Sequence, residues 1–192
     1  MKLNPITKSI RAAVRDVSFQ YRMGAGFAGD VNRTHPASIE PCLIDASAPP
    51  TAYGQAVLVD ATTQGVRPIA AGDQSNSVDL TIYGITVRPF PFQQSTASLA
   101  NAQANIGAAT PPVSGVIDVL RAGYIMAQLN ANVTAPAKGG RVYVWAAATS
   151  GDHVQGGFET AYSAGNTVLL DGRYTYNGGE DSTGIVEISC NV

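Results

Sequence analysis

Apolar and polar residues alternate with a period of two over much of the chain after residue 55. Val78, Leu80 and Ile82 face one way while their neighbours are polar, and residues 186–190 repeat the pattern near the C-terminus. Such alternation predicts half-buried β-strands. Further strands are predicted at residues 56–60, 85–88, 115–121, 123–129, 158–162, 166–170 and 173–176.

One predicted strand is apolar on both faces. Residues 141–148 read RVYVWAAA, which is typical of a central strand covered on both sides, and Trp145 is its strongest core candidate. Glycine and asparagine punctuate the chain between the predicted strands. Many short strands separated by turn residues predict an all-β sandwich or barrel.

The N-terminal part has a different pattern. Residues 8–18 place apolar side chains at helical spacing, and residues 23–50 contain seven glycines and prolines that exclude a long helix or strand. Residues 94–112 fit either a short helix or a long surface loop. We therefore expect an N-terminal arm, residues 1–41, followed by a β-sandwich domain, residues 42–192.

Basic charge is concentrated in this arm. Six of the twelve Lys and Arg side chains lie in the first 33 residues, with only Asp16 and Asp30 among them, so the remainder of the chain is acidic. Charged residues make up 14 % of the whole, against about 25 % in average proteins. A lightly charged surface favours contact with protein, because few ions lose their water. The overall charge of −2 argues against a nucleic-acid partner.

Aromatic and arginine residues alternate along the arm. These two residue types are frequent anchors of protein interfaces. Their mixture predicts a contact surface, although packing of the arm on its own body and stacking with single-stranded nucleic acid remain alternatives. The candidate contact residues are Arg11, Arg15, Phe19, Tyr21, Arg22, Phe27 and Arg33.

A nucleotide-binding glycine motif is present in form only. Gly24, Gly26 and Gly29 fit G-x-G-x-x-G, and Asp45 follows at the distance of a ribose-binding acid. In nucleotide-binding proteins the third glycine opens a helix, but Pro36 prevents one here. The glycines are better explained by backbone that lies close to another chain segment.

Metal and catalytic sites have little support. His35 and His153 are isolated, and the acids Asp171, Glu180 and Asp181 lack the spacing of a calcium loop, although a surface calcium site stays open. The sequence has no nucleophile motif of the G-x-S-x-G type. We expect no enzymatic activity and no cofactor, with a β-sandwich hydrolase as a remote alternative that requires two facing carboxylates.

Targeting and redox signals are also sparse. Cys42 and Cys190 are far apart and are expected to be reduced. The first residues do not resemble a signal peptide, and no run of about 18 apolar residues is present. We expect cytosolic synthesis and no membrane partner.

Several sequence blocks resemble a known family. They are GAGFAGDVNRTHPASIEPCLI, YGQAVLVD, GVRPIAAGD, YGITVRPFPFQ, GVIDVLRAGYIMAQLN, GGRVYVWAA and GIVEISCNV. Together they are similar to the structural cement, or capsid decoration, proteins of tailed bacteriophages. The resemblance runs from about residue 19 to residue 192 and is weakest over residues 93–114.

The resemblance implies a specific fold and role. It implies a jelly-roll β-sandwich that sits on the outside of a virion capsid, bridges neighbouring major capsid proteins and is made in the bacterial cytoplasm. It implies a homodimer, with a homotrimer as the alternative, and neither enzymatic activity nor a cofactor. The extended segment of residues 19–41 is implied to grip the capsid.

A carbohydrate-binding β-sandwich on a virion or cell surface is the alternative function. Five aromatic side chains would then form a sugar platform, and burial of Trp145 would argue against it. The five are Tyr83, Tyr143, Trp145, Tyr174 and Tyr176.

Overall fold

The structure, a computed structural model, describes residues 26–33, 36–73, 80–89, 110–130 and 134–192. Within these ranges the chain forms ten β-strands and a short 3-10 turn, Ala71–Asp73, and contains no α-helix. The predicted all-β class is confirmed. The strands are β1 Ser38–Leu43, β2 Ala56–Val59, β3 Val66–Pro68, β4 Gly84–Thr86, β5 Val116–Gln128, β6 Tyr143–Trp145, β7 Phe158–Glu159, β8 Thr167–Leu169, β9 Tyr174–Tyr176 and β10 Ile185–Cys190.

The strands form two antiparallel sheets. The larger sheet has the order β3-β2-β4-β5-β10-β9, with β1 paired to β5 as a branch, and the smaller sheet has the order β7-β6-β8. All pairings between the strands are antiparallel. This arrangement is consistent with a β-sandwich, while the jelly-roll connectivity implied by the resemblance stays a prediction.

The hydrophobic core joins the two sheets. Ile85, Leu120 and Ile188 from the larger sheet pack in one cluster with Val144 and Phe158 from the smaller sheet. Burial of these side chains supplies most of the driving force that holds the layers together. Trp145, predicted as a core residue, is indeed buried, with 8 % of its surface exposed.

A second, smaller cluster lies on the opposite face of the larger sheet. Val57 and Val119 belong to it, whereas their chain neighbours Ala56 and Leu120 belong to the main core. Successive residues of a strand point to opposite faces, so this strand region is buried on both sides. Tyr53 packs in the second cluster as well.

β5 is a single strand, although the sequence predicted two strands, residues 115–121 and 123–129, with Gly123 among the glycines expected at turns between strands. Gly123 lies inside β5 with a φ of 134°. It marks the point where the partners of β5 change from β1 and β4 to β10. The turn prediction was wrong because glycine is needed here for a different reason: it adopts a positive φ and lets another backbone segment approach closely within a strand.

Two strands form where none was predicted. β3 is one of them, and β1 arises within residues 23–50, which were expected to lack a long strand. β1 pairs with β5 over its whole length. The boundary expected between arm and β-domain, after residue 41, falls inside β1.

Other predictions concern residues that the structure describes only in part or not at all. The predicted helix over residues 8–18 lies outside the described residues, and so does most of residues 94–112. Of the predicted strand around residues 78–82, Leu80 forms a parallel bridge with Leu170. Cys42 and Cys190 are both free thiols, as predicted, and Cys190 is fully buried.

Replacement of Gly123 by alanine should destabilise the fold by about 2 kcal/mol or more. A β-carbon there would lie 2.7 Å from the carbonyl oxygen of Pro36, and the positive φ disfavours any L side chain. Gly172→Ala is the matched control, because a β-carbon at that position meets no atom within 4 Å. Urea unfolding measures both variants, and equal stability losses would contradict the assignment.

Candidate interaction surface

Residues 26–33, here called the root segment, lie against the second half of β5. The N–H of Gly29 donates to the carbonyl of Met126 at 2.7 Å, and the N–H of Met126 donates to the carbonyl of Asp30 at 2.9 Å. The carbonyl of Gly29 accepts a bond from the N–H of Arg88 at 2.9 Å. The root segment therefore joins β5 to the residues that follow β4.

Glycine permits this close contact. Gly29 has a φ of 87°, and a β-carbon there would lie 2.7 Å from the β-carbon of Tyr53. Two members of the G-x-G-x-x-G motif, Gly26 and Gly29, thus serve backbone packing, while Gly24 lies outside the described residues. Asp45 accepts bonds from the N–H and hydroxyl of Ser47 and belongs to a local turn.

Phe27 is held at the surface by a charged pair. The guanidinium of Arg88 lies 4.4 Å from the centre of the Phe27 ring, and its Nη1 is 3.6 Å from Asp30. The other carboxylate oxygen of Asp30 accepts the N–H of Phe27 at 2.9 Å. A cation over a ring face is attracted by the ring quadrupole. The ring nevertheless remains 46 % exposed and available for contact.

Arg33 is anchored to the body by Glu187 on β10. Its Nη2 and Nε donate to the two carboxylate oxygens at 2.6 and 3.0 Å, so the contact is bidentate. Asn32 donates to the same carboxylate at 2.6 Å, and Asn177 donates from the other side. The Arg33 guanidinium also lies 4.1 Å from the centre of the Tyr124 ring. Planar guanidinium groups suit such simultaneous pairing and stacking.

These contacts shift the ionisation of Glu187. Burial acts to raise the pKa of this carboxyl, but hydrogen bonds from Asn177, Arg33 and Asn32 outweigh burial and leave the pKa below its ordinary value. Glu187 is therefore ionised at neutral pH and holds the end of the root segment by charge-assisted bonds.

A third arginine–aromatic pair lies beside β1. The guanidinium of Arg121 is 3.7 Å from the centre of the Tyr83 ring, and its Nε is 3.6 Å from Glu40. The Tyr83 hydroxyl donates to Glu40 at 2.9 Å. This bond, together with burial, raises the pKa of Tyr83 to about 12. The root segment is thus tied to the body by two arginine–aromatic pairs, and β1 is tied to it by the contacts of Glu40 with Arg121 and Tyr83.

The structure places two of the seven predicted contact residues, Phe27 and Arg33. Their body partners Arg88, Tyr124 and Glu187 were not predicted. Glu187 was visible only as an outward residue of an alternating strand, and no sequence signal links it to Arg33, 154 residues away. The other predicted contact residues, Arg11, Arg15, Phe19, Tyr21 and Arg22, lie outside the described residues.

His153 belongs to a structural cluster. Its ring stacks on Trp145 with centres 4.3 Å apart, and its Nδ1 is 2.7 Å from the carboxylate of the buried Glu159. Asn130 donates to the same carboxylate at 2.6 Å. His35 lies outside the described residues. Among the residues that the structure describes, no group of His, Cys, Asp and Glu is arranged to hold a metal ion.

The acidic turn residues have partners within the chain. Asp171 pairs with Arg173 at 2.6 Å, and the pKa of Asp171 falls to about 2 because of this contact. Asp181 accepts bonds from the N–H and hydroxyl of Thr183, as capping residues of turns do.

The aromatic platform required by the carbohydrate-binding alternative is not formed. Trp145, Tyr174 and Tyr176 are buried, and the Tyr176 hydroxyl donates to the backbone of Glu159. Tyr83 is engaged by Arg121. Three of the five rings therefore have no face to offer a sugar.

The fold resembles that of a chain in a solved virus structure, the capsid of Myoviridae phage XM1. The similarity has a TM-score of 0.61 at 16 % sequence identity and covers 89 % of this chain and 93 % of that chain. The two chains therefore share an all-β fold found in a phage capsid. A search of curated proteins finds no match.

Residues 17–190 match the family described as XM1 gp53 minor capsid protein, and the chain belongs to that family. It is accordingly a structural protein of the virion that associates with capsid proteins. The resemblance to phage capsid-associated proteins is confirmed. No helix in the described ranges has the length and hydropathy needed to cross a bilayer.

Replacement of Glu187 by alanine should release the root segment from the body. Arg33 and Asn32 would lose their shared acceptor, so trypsin should cut the bond after Arg33 faster than in the native protein. Mass spectrometry of timed digests measures the rate of cleavage at this bond. Asp171→Ala is the control, because it removes the carboxylate partner of another exposed arginine, Arg173. It should leave the rate of cleavage after Arg33 unchanged, and a similar acceleration would contradict a local role of Glu187.

The contribution of Glu187 to stability should depend on pH. Its pKa is lowered in the folded state, so its stabilisation is present above the ordinary glutamate value of 4.5 and is lost as the pH falls through the lowered pKa. The native protein should therefore be more stable than Glu187→Gln at pH 7, and the difference should vanish in stronger acid. Urea unfolding of both proteins across this range measures it, and a pH-independent difference would disprove the linkage.

Proposed function

We propose that this protein binds the outer surface of a phage capsid and cements neighbouring major capsid proteins. Membership of a minor capsid protein family carries the proposal, because a minor capsid protein associates with capsid proteins. The family match begins at residue 17 and so includes much of the predicted arm. The proposed cementing role rests on the charges of the arm sequence and on the contacts of the root segment.

The arm combines a basic sequence with an anchor to the body. Residues 1–25 hold five basic side chains and one acid, Asp16, whereas the body is acidic. The arms of neighbouring copies therefore repel one another, and each arm is attracted to acidic surfaces. The root segment, which follows residues 1–25 in the chain, is held to the body through Gly29 and Arg33.

The proposed contact set combines arm and root residues. Phe27 offers an exposed ring beside a guanidinium, a pairing that suits protein interfaces. Arg33 serves the anchor to Glu187 and contacts the capsid through the part of its side chain that stays exposed. Arg11, Arg15, Phe19, Tyr21 and Arg22 complete the set.

Cementing follows from mass action. A protein that binds the assembled shell but not its separated subunits shifts the equilibrium towards the shell. Repeated sites on a capsid also multiply a weak contact, and we propose a homodimer, with a homotrimer as the alternative, that engages two or more sites at once. This role needs neither a catalytic centre nor a cofactor.

Deletion of residues 1–25 should abolish binding to undecorated heads while the body stays folded. All described contacts of the body begin at residue 26 or later, so the deletion removes none of them. Co-sedimentation with heads measures binding, and circular dichroism with thermal unfolding checks the body. Full binding by the truncated protein would disprove the role of the arm.

A charge-matched pair of variants separates the arm from bulk electrostatics. Arg11, Arg15 and Arg22 changed to Gln should weaken binding, most clearly at low salt where charge interactions are least screened. Lys138, Arg141 and Arg173 changed to Gln remove the same charge from exposed sites of the body and should leave binding unchanged.

A further inference from the structure

Among the described residues, one edge of β1 is unpaired over most of its length, up to the point where Val66 of β3 bridges Ile44. The N–H of Val87 donates to the carbonyl of Asp118 at 2.8 Å, so the backbone of Asp118 points towards β4. Backbone groups alternate sides along a strand, hence Ile117 and Val119 point towards β1 and meet their register partners Cys42 and Glu40.

The remaining backbone groups of β1 therefore point away from β5. Ile39 presents an N–H and a carbonyl, Pro41 presents a carbonyl alone, and Leu43 presents an N–H. The Leu43 carbonyl faces Val66 of β3, which forms a parallel bridge with Ile44 just beyond β1. Proline is tolerated at this position because its missing N–H falls on the outer edge. In the described part of the chain β5 is the only strand that pairs with β1.

Apolar side chains are exposed along the same edge. Ile39 is 44 % exposed, Leu43 is 60 % exposed, and Val116, directly opposite Leu43 in the register, is 57 % exposed. These three, called the apolar strip, are three of the nine large apolar side chains exposed in the described ranges. Clustered exposure of this kind marks an interaction site.

We propose that the open edge of β1 and the apolar strip bind an extended segment of the capsid protein as an added β-strand. The proposal rests on the capsid-binding function proposed above and names the surface of the body that takes part. Backbone bonds to Ile39, to the Pro41 carbonyl and to the Leu43 N–H would supply affinity, and the apolar strip would select alternate apolar side chains of the segment.

Charge defines the segment further. Asp118 lies opposite Pro41 in the register and is an exposed acid beside Leu43 and Val116. On the second face, Glu40 is already paired with Arg121. The complementary strand therefore carries a basic side chain facing Asp118, between apolar side chains facing the strip.

A second copy of β1 fits this edge poorly. Antiparallel pairing centred on Pro41 sets two prolines opposite each other, so two carbonyls meet without a donor. Pairing centred on Glu40 sets two carboxylates directly opposite each other, which is destabilising. A foreign strand that places an N–H opposite the Pro41 carbonyl avoids both problems.

The test compares Leu43→Glu combined with Val116→Glu against Tyr162→Glu. Both changes put acid at exposed apolar positions, but Tyr162 lies in the loop between β7 and β8 of the smaller sheet. The double variant should bind undecorated heads about tenfold more weakly than the native protein, and the control should bind normally. Hydrogen exchange adds a direct readout: the amides of Ile39 and Leu43 should become protected on heads.

Each outcome decides the proposal. Normal binding by the double variant, or exchange at β1 that is unchanged on heads, overturns it while leaving capsid binding intact. A free protein whose β1 amides are protected in a dimer, and whose dimer the double variant dissociates without loss of head binding, assigns the edge to a second copy and overturns it too. Failure of the native protein to bind heads overturns both proposals together.

Discussion

The backbone ladder of β5 is the interaction on which the rest of the structure depends. Its thirteen residues pair with β1 and β4 before Gly123 and with β10 after it, and its second half also accepts the root segment. Without β5, the strands β2, β3 and β4 would have no connection to β9 and β10 within the larger sheet. Its buried side chains also enter both apolar clusters, so one strand fixes the register and the two packed faces together.

Side-chain periodicity was enough to predict the class of fold and much of the core. The alternation in residues 186–190 and the doubly apolar residues 141–148 correspond to β10 and β6, and Trp145 is buried. β1 escaped prediction because Pro41 argues against a strand unless its edge is open, which only tertiary pairing decides. Gly123 was predicted wrongly because a glycine in a sequence is a turn signal, and only the pairing of β5 with its neighbours shows that this one lies inside a strand. The anchor of Arg33 depends on Glu187, a contact too distant in sequence for any local pattern.

The basic arm and the acidic body are joined by a defined ion pair, between Arg33 and Glu187. An acidic body would attract a basic arm along much of its surface, but the strong bidentate contact is made by Arg33 at the end of the root segment. Arg88 and Arg121 are occupied by aromatic rings and by Asp30 and Glu40. These arginines of the body therefore help to position the root segment and β1. The other basic side chains of the arm lie in residues 1–25.

An open sheet edge is hazardous for a protein present at many copies on one lattice, because copies can pair edge to edge. β1 meets this hazard with a proline that lacks a donor and a glutamate that repels its own copy, two devices that weaken self-pairing more than pairing with a different strand. The apolar strip beside it would otherwise favour indiscriminate association. An edge that is both apolar and guarded in this way is better suited to one selected partner strand than to contact with solvent. Because the arm and this edge belong to one chain, binding of either to the capsid raises the effective concentration of the other.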